Sequence, residues 1–414
     1  MGKAGVTGAD FYIKGKTKMT SLDVAVIGNG LIGAAATRYL SAAGLRVAGI
    51  GPGEPQNWQS HQGVFASHYD QGRITRIIDP DPVWGLLGKR SIEVYRDLEG
   101  ESGVKFHHAA TCLRVSPEPS TPGDTFWQSE QVGRDLDAAF TIEREGEGLN
   151  EIFPFLRFPT GSLALWERGG AGYINPRQLV QAQLTAARRQ GATIIPEGVT
   201  ALNRTATGVT ITTTTGQAVL AQNVLIAAGA YSGWLWERPL DLRRKAVTVL
   251  LAELSPAEAA RLRAVPSIIY RLTEHEMLAS IYSLPPIVYP DGKTYLKIGG
   301  TLRTPKYVYS ADETRAWFQS AGNPVEAEAL RDVLFAMLPN LRAVTLQTKP
   351  CVVTYTAHDR PYIDQLDERV FIAAGGCGSA AKSSNEIGRI GALLVEQRQW
   401  SYDLPAENFV ARYV

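Results

Sequence analysis

The sequence predicts an α/β fold in which a parallel sheet is combined with a second, mostly antiparallel sheet. Three observations lead to this prediction: a glycine-rich turn between an apolar strand and a helix near the N-terminus, further short apolar runs late in the chain, and a long β-rich region between them. With 414 residues and a hydrophobic content of 44%, the chain can bury a large core and is long enough for two domains.

The glycine-rich turn has the G-x-G-x-x-G spacing, with Gly28, Gly30 and Gly33. Residues 24–27 before it form a short β-rich apolar run, and residues 31–43 after it form a helical pattern. The first glycine allows the tight turn, the second lets a pyrophosphate approach the backbone, and the third lets the helix pack on the strand. Flanked in this way, the turn predicts a Rossmann-like domain that binds a dinucleotide.

The helix that follows the turn is expected to bind the phosphates. Its first residues, Leu31 and Ile32, present free backbone N–H groups and the positive end of the helix dipole, and Gly44 is suited to end it. The acidic residue that usually follows the second strand and binds the adenosine ribose is absent, because Gly51 stands there. Either Glu54 reaches the ribose instead, or backbone groups bind it.

Composition excludes several classes of protein. A net charge of +1 and a pI of about 7.7 give no strong field for nucleic acid, and no apolar run has the length of a membrane span. The three cysteines, Cys112, Cys351 and Cys377, form no evident disulfide framework, which favours a reducing cytoplasm. Residues 1–19 lack the apolar core of a signal peptide and are expected to be a disordered extension. A monomer is the default expectation.

The remaining elements follow from periodicity and turn residues. Asn175 and Pro176 are a cap and a first-turn residue, and they predict a helix that ends at Gly191. Other helices are predicted at residues 83–98, 325–338 and from the last glycine-rich turn to about 395. Strands or extended segments are predicted at 104–115, 193–196, 199–204, 209–215, 223–229, 243–254, within 266–300, and at 370–375.

This order of elements predicts two interleaved domains. A nucleotide-binding domain would comprise residues 20–100, 170–235 and 348–400, and a substrate domain would comprise residues 101–169 and 236–347.

Three stretches of this chain resemble the flavin-dependent amine oxidases of the sarcosine oxidase and N-methyltryptophan oxidase family, within the D-amino-acid oxidase superfamily. Residues 68–76, HYDQGRITR, are similar to the family's His-Gly-Asp-Thr-Arg-x-x-Arg segment. Residues 295–299, YLKIG, resemble its Leu-Lys-x-Gly strand, and residues 349–364, KPCVVTYTAHDRPYID, keep the separation of its cysteine and aspartate. The resemblance implies a D-amino-acid oxidase-like fold and FAD as the cofactor.

The resemblance also implies how the cofactor is held. Cys351 would bond covalently to the 8α methyl group of the flavin, whereas the plain alternative is a small buried apolar residue. Cys377 is a poorer candidate because it lies in the last glycine-rich turn, where Gly376 and Gly378 would contact the cofactor. His68 is expected to be a further cofactor contact.

Two cations are implied beside the flavin ring. Arg73 would shape the electrostatics of the ring, and Lys297 would stabilise the negative charge that develops when oxygen is reduced. The alternatives are an exposed basic loop for Arg73 and a solvated strand-edge lysine for Lys297. Strand alternation places Lys297 on the opposite face from Leu296 and Ile298, which fits both interpretations.

The substrate carboxylate would bind Arg76, because a guanidinium group is suited to a bidentate contact. Lys382 is the second expected ligand, although it stands two residues beyond the strict family position, which Ala380 occupies. Tyr282 resembles an active-site tyrosine. Thr301 stands where the family has a histidine, so the substrate need not be sarcosine.

The predicted function is FAD-dependent oxidation of the C–N bond of an amino acid or an N-alkylated or cyclic amino acid, with O2 reduced to H2O2. Two alternatives remain open at this point: a flavin-dependent dehydrogenase that uses another electron acceptor, and a non-catalytic protein that binds a dinucleotide. No metal site is predicted, because the six histidines show no metal-ligand spacing.

Overall fold

The computed structural model describes residues 22–117, 120–143 and 146–414. The predicted N-terminal extension, residues 1–19, lies outside the described residues.

Twenty strands are present in these ranges: β1 (Leu22–Ile27), β2 (Val47–Ile50), β3 (Arg73–Thr75), β4 (His107–His108), β5 (Cys112–Ser116), β6 (Phe140–Glu143), β7 (Leu163–Glu167), β8 (Gly172–Ile174), β9 (Thr193–Ile195), β10 (Val199–Thr205), β11 (Gly208–Thr213), β12 (Ala218–Ile226), β13 (Leu242–Leu254), β14 (Ser267–Arg271), β15 (Leu278–Val288), β16 (Thr294–Leu302), β17 (Lys306–Val308), β18 (Ala343–Thr356), β19 (Tyr362–Gln365) and β20 (Val370–Ala374).

The same ranges contain ten α-helices: α1 (Leu31–Ala42), α2 (Pro82–Glu93), α3 (Tyr95–Ser102), α4 (Thr125–Asp135), α5 (Gly146–Ile152), α6 (Pro176–Arg189), α7 (Pro256–Arg261), α8 (Ala311–Gln319), α9 (Pro324–Met337) and α10 (Ala380–Gln397). None of the helices in the described part of the chain is both long and apolar enough to cross a membrane.

The first sheet has the strand order β10-β11-β12-β1-β2-β9, with β20 paired to β12 and β19 to β20. Its centre is parallel, since β1 pairs in parallel with β2 and β12, β2 with β9, and β12 with β20. Alternate residues of β1 face opposite layers: Val24 and Val26 pack in the same core as α1 and α10, and Ala25 and Ile27 pack in the core on the other face. Burial on both faces explains the continuous apolar run in the sequence.

The second sheet has the order β17-β13-β16-β15-β14-β5-β7-β6, and β18 pairs with β13 along almost its whole length. All of its pairings are antiparallel except that between β5 and β14. Strands β3, β8 and β4 form a separate short sheet in the order β3-β8-β4. The predicted fold, a Rossmann-like domain combined with a mostly antiparallel domain, is confirmed.

Several boundaries differ from those predicted. The helix predicted at 83–98 is two helices that meet at Val94. The extended segment predicted at 104–115 contains two strands separated by residues 109–111, of which Thr111 has a φ of +61°. The domain boundary predicted at residue 348 falls inside β18. This strand belongs to the second sheet, because it pairs with β13 over almost its whole length. Cys351 therefore lies on the second sheet.

Helices α1 and α10 pack closely because a glycine lies at their contact. A Cβ atom built on Gly388 of α10 would lie 2.6 Å from the Cβ of Ala35 and 2.6 Å from the carbonyl oxygen of Ile32. Gly100, in α3, has no heavy atom within 4 Å of the same built position. The two helical glycines thus differ in the space around them.

We expect Gly388→Ala to destabilise the fold by about 1–3 kcal/mol, because the added methyl group forces α1 and α10 apart. The matched control, Gly100→Ala, should be neutral or stabilising by up to about 1 kcal/mol, since alanine restricts the unfolded chain more than glycine does. Chemical denaturation of both variants measures the difference. Equal stability of the two variants would contradict the close packing.

Candidate functional site

A cavity of 660 Å³ lies between the carboxyl ends of the parallel strands and one face of the second sheet. Its wall includes the ends of β1 and β2, the glycine-rich turn, strands β13, β15, β16 and β18, and the loop before α10. Ligands of parallel α/β sheets bind outside the carboxyl ends of the strands, so this is the expected place for a nucleotide.

The glycine-rich turn has the geometry that its spacing predicts. Gly28 has a φ of +114°, and a Cβ atom there would lie 2.4 Å from the carbonyl oxygen of Ala227. A Cβ atom on Gly33 would lie 1.8 Å from the carbonyl oxygen of Gly28, so only glycine allows this approach of α1 to β1. Gly30 precedes α1 without a side-chain cap, and Leu31 and Ile32 line the cavity beside it. The free N–H groups of this helix end are suited to an anion such as a pyrophosphate.

The structure explains why no acidic residue follows β2. A Cβ atom on Gly51 would lie 2.5 Å from the backbone nitrogen of Asn29, so any side chain there would collide with the turn. The Asn29 amide instead donates to the carbonyl oxygen of Gly51 at 3.1 Å, and its buried Oδ1 atom has no partner among the described residues. This Oδ1 atom lies 2.6 Å from a Cβ atom built on Gly49 of β2, so it is directed into the first sheet rather than into the cavity.

Glu54 is not placed to bind the ribose. Both of its carboxylate oxygens accept hydrogen bonds from Arg177 at 2.6 Å, and the residue does not line the cavity. The acid and its arginine are separated by 123 positions in the chain, so the pairing was not visible in the sequence.

His68 stands at the cavity wall as a neutral side chain. Burial, reinforced by the charges of Arg177 and Arg73, lowers the pKa of His68 to about 3. Its ring lies 3.6 Å from a Cβ atom built on Gly30, next to the phosphate-binding turn. This position fits a cofactor contact that acts by hydrogen bonding rather than by charge.

A buried carboxylate, Asp70, joins two of the predicted cations. Its Oδ2 atom accepts from the Lys297 ammonium at 2.6 Å and also pairs with Arg73, while its Oδ1 atom accepts from the Tyr289 hydroxyl at 2.9 Å. Despite burial, which raises it, the pKa of Asp70 is held well below its usual range by Lys297 and Arg73. Two cations share one anion, so this group keeps one positive charge.

Lys297 is more deeply placed than the sequence suggests. Its side chain is fully buried and donates to the carbonyl oxygen of Gly72 at 2.8 Å, and it does not line the cavity. Burial and the neighbouring Arg73 lower the pKa of Lys297 to about 8. Leu296 and Ile298 pack in the core on the opposite face of β16, as alternation requires.

Tyr282 lies between Lys297 and the cavity. The Lys297 nitrogen is 5.5 Å from the centroid of the Tyr282 ring, which covers Gly299. The ring lines the cavity, and burial raises the pKa of Tyr282. A neutral phenol at this point can donate a hydrogen bond to a ligand.

Cys351 lies on β18 in the cavity wall, and the Arg73 guanidinium donates to its sulfur at 3.7 Å. A guanidinium at this position is suited to stabilise negative charge on the sulfur during bond formation. Arg73 also donates to the carbonyl oxygen of Ser67 at 2.8 Å, so its orientation is fixed from two sides.

Cys377 has different surroundings, although it also lines the cavity. Its sulfur lies 3.7 Å from the Thr356 hydroxyl oxygen, and burial raises the pKa of its thiol to about 11. Gly376 and Gly378 flank it in the loop that leads into α10, and α10 begins without a side-chain cap. The backbone N–H group of Cys377 donates to the carbonyl oxygen of Thr354, and those of Ser379 and Ala380 donate to that of Gly376, so these three groups are not free for a ligand.

Arg76 and Lys382 come together as predicted, through a carboxylate that the sequence analysis missed. The Asp79 carboxylate accepts from Arg76 at 2.8 Å and lies 3.2 Å from the Lys382 ammonium. Despite burial, which raises it, Lys382 and Arg76 lower the pKa of Asp79 to about 2. Burial lowers the pKa of Lys382 to about 8. Both cations line the cavity, and the buried Nε atom of Arg76 has no partner among the described residues.

Lys382 reaches Asp79 from the first turn of α10. Ala380, Ala381 and Lys382 form the first turn of α10, and all three line the cavity. The lysine side chain donates to the carbonyl oxygen of Trp84 at 2.9 Å, which holds its ammonium beside Asp79.

Thr301 also lines the cavity, where it pairs with Ser280 of β15. Two small hydroxyl side chains, Ser280 and Thr301, therefore form this part of the cavity wall.

Asp70 and Asp79 are the main residues that the sequence analysis missed. Each stands three positions before or after an arginine that was predicted to act, and that spacing was an available signal. Within the described ranges, no three His, Cys, Asp or Glu side chains are grouped as a metal site would require.

The sequence and the fold of this chain are similar to those of known proteins. The family model DAO, FAD dependent oxidoreductase, matches residues 23–394. N-methyl-L-tryptophan oxidase of Yersinia pestis (strain Pestoides F) is 24% identical over 389 residues, which cover 93% of this chain and 97% of that protein. NikD, an unusual amino acid oxidase essential for nikkomycin biosynthesis, has a similar structure, with a TM-score of 0.75, 18% identity, and coverage of 95% and 98%. L-proline dehydrogenase from P. horikoshii gives a TM-score of 0.73, 17% identity, and coverage of 94% and 96%.

We expect Asp70→Asn to destabilise the fold by about 3–5 kcal/mol, because the buried Lys297 and the partly buried Arg73 lose their counter-charge. The folded pKa of Asp70 lies below its unfolded value, so its contribution is fully present above the unfolded pKa of about 3.9 and is lost only in more acidic solution. Asp70 therefore stays ionised between about pH 5 and 7, and its own titration adds no pH dependence to the difference from wild type in this range.

Asp312→Asn is the matched control, since Asp312 also pairs with an arginine three positions away but is 82% exposed. Its loss should cost less than about 1 kcal/mol. Urea denaturation at several pH values measures both variants, and a small effect of Asp70→Asn would show that Asp70 does not compensate the two cations.

Proposed function

Since the chain belongs to the DAO family of FAD-dependent oxidoreductases, we propose that it oxidises the C–N bond of an amino acid or an N-alkylated or cyclic amino acid, with O2 as the electron acceptor. One observation carries the proposal: a free thiol beside a guanidinium and two carboxylate-binding cations line the same cavity as the nucleotide-binding turn. The products are an imine and H2O2, with one O2 reduced for each C–N bond oxidised. Water then converts an acyclic imine to a carbonyl compound.

The residues that would hold FAD lie in the cavity wall. The backbone of Gly28, Gly30 and the first turn of α1 fits the pyrophosphate. Bound FAD supplies the two-electron acceptor that amino-acid side chains lack. In the loop before α10, the N–H groups of Gly376 and Gly378 would be further donors to the cofactor.

Cys351 is the proposed point of covalent attachment. Its sulfur faces the cavity beside Arg73, whereas the Cys377 thiol is held by Thr356 and has a raised pKa. A thioether replaces the S–H bond and one C–H bond of the 8α methyl group. The two electrons and two protons released in this step would reduce O2 to H2O2.

Arg76 and Lys382 are proposed to bind the substrate carboxylate. They share Asp79, so the group retains one positive charge at the cavity wall. A substrate carboxylate would balance this charge. The Tyr282 hydroxyl, which lines the same cavity, would orient the substrate by donating a hydrogen bond.

Lys297 is proposed to favour the reduction of oxygen through its charge. The Lys297, Arg73 and Asp70 group carries one net positive charge beneath Tyr282 and beside the cavity. A fixed positive charge in a buried site stabilises negative charge on partly reduced oxygen without reorganising solvent. The name of the Yersinia relative, an oxidase of an N-methylated amino acid, supports this type of reaction.

The second candidate function is a dehydrogenase that passes electrons to another acceptor. The similar fold of L-proline dehydrogenase shows that this architecture is shared by both types of enzyme. The two candidates differ in whether O2 is reduced to H2O2 when the substrate is oxidised in air.

We expect wild-type protein to be yellow and to keep its colour in the pellet after acid precipitation, and Cys351→Ala to release its colour into the supernatant. The reason is that only a thioether survives denaturation of the cofactor site. Cys377→Ala is the control and should behave like wild type. Absorbance spectra of both fractions measure the outcome, and release of colour from wild type would remove Cys351 from this role.

In air, oxidation of N-methyl amino acids should yield one H2O2 for each amine consumed, and Lys297→Met should lower kcat/KM for O2 by about 10²-fold. The control is Lys293→Met, which removes an exposed lysine four positions earlier. Coupled peroxide detection and oxygen consumption measure both quantities. Amine oxidation without peroxide, in the presence of an artificial electron acceptor, would favour the dehydrogenase.

A further inference from the structure

The cavity contains a buried lysine that none of the roles above uses. Lys245, on β13, is 6% exposed and lines the cavity. Within residues 22–117, 120–143 and 146–414 its ammonium makes no hydrogen bond and no salt bridge; it lies 5.8 Å from the centroid of the Tyr355 ring. A buried ammonium without an anion is costly, so this position calls for a negatively charged ligand.

The strand register places Lys245 close to the proposed reaction site. Val247 lies opposite Cys351 in the pairing of β13 with β18, and Lys245 lies opposite Val353, two positions further on. Because alternate residues share a face, Lys245, Cys351, Val353 and Tyr355 lie on the same face of the second sheet. Lys245 is therefore next to the cofactor end of the cavity rather than at a remote surface.

The surroundings of Lys245 can receive an anion. Ala311, the first residue of the nine-residue helix α8, also lines the cavity; the Ser310 side chain caps the N–H group of Glu313, which leaves the N–H groups of Ala311 and Asp312 without an intrahelical acceptor. The acidic side chains of this turn are directed elsewhere: Asp312 is 82% exposed and pairs with Arg315, and Glu313 accepts from the backbone of Tyr309. Tyr355 adds a hydroxyl near the loop before α10, 3.7 Å from a Cβ atom built on Gly378.

One acidic residue influences Lys245 from the opposite face of the sheet. Glu326, at the start of α9, accepts from the backbone nitrogen of Thr248 at 3.1 Å and forms no salt bridge with the lysine. Burial lowers the pKa of Lys245, with Glu326 opposing the change. The charge of Lys245 is therefore only weakly compensated by the protein.

We propose that Lys245 binds a second carboxylate of the substrate, so that the preferred substrate is an amino acid with two carboxylates rather than one. This proposal rests on the proposed function, because it takes the Arg76 and Lys382 pair as the anchor of the first carboxylate. A single ammonium and a helix N-terminus match one negative charge, which favours a carboxylate over a doubly charged phosphate. Lys245 thus acts as a specificity-determining residue.

The test uses the holoenzyme and thioether ligands that contain no C–N bond to oxidise. One series carries a second carboxylate one, two or three carbons from the sulfur, beginning with thiodiacetate. The matched series consists of alkylthioacetates of the same length, with a single carboxylate. Isothermal titration calorimetry measures binding, and changes in the flavin spectrum provide a second readout.

At its best length, the dicarboxylate should bind wild type about tenfold or more tightly than its matched monocarboxylate, which is the size of one charge-assisted contact. Lys245→Met and Lys245→Gln should remove this preference and leave monocarboxylate binding within about twofold. Lys306→Met, which removes an exposed lysine on the neighbouring strand β17, should keep the preference. Thermal unfolding of each variant checks that it is folded.

The proposal is overturned if wild type shows no preference for any dicarboxylate, or if both Lys245 variants keep it. Arg76→Gln separates this outcome from failure of the proposed function, because it should weaken both ligand series alike. If Arg76→Gln weakened neither series, the carboxylate anchor of the proposed function would be wrong, whatever Lys245 does.

Discussion

The buried carboxylate of Asp70 is the interaction on which the site depends. Two cations from different parts of the chain, Arg73 and Lys297, would repel each other in a region of low dielectric if Asp70 did not lie between them. The same carboxylate fixes the loop before β3 against β16 of the second sheet. As a result, Arg73 is held beside Cys351 of the second sheet.

The same arrangement of charge recurs on the other side of the cavity. Asp79 lies between Arg76 and Lys382, so each of the two groups contains two cations and one anion. Lys245 adds a third positive charge that has no paired anion among the described residues. The cavity is thus positive on several walls, although the whole chain has a net charge of only +1. Its ligands must bring negative charge to balance it.

Local features of the site were predictable from the sequence, and features that depend on distant pairings were not. The turn at Gly28 and the start of α1 are set by neighbouring residues, and the structure has the expected geometry there. The grouping of Arg76 with Lys382 came from a family resemblance. Glu54 was misjudged because its arginine lies far away in the chain.

Charged residues inside strands were the hardest to interpret. Lys245 stands in a β-strand whose following residues are apolar, and nothing in its neighbourhood shows whether it faces water or a cavity. That depends on which face of β13 is covered, a property of the whole sheet.

The location of Cys351 has a consequence for assembly. The residue lies on β18 of the second sheet, whereas the phosphate-binding turn belongs to the first. With the proposed thioether in place, unfolding of the first sheet would leave the nucleotide tethered to the second. The turn would then recapture its ligand from a high effective concentration as it refolds, independently of free FAD in solution. Covalent attachment would thus make cofactor loading a single event in the lifetime of the chain.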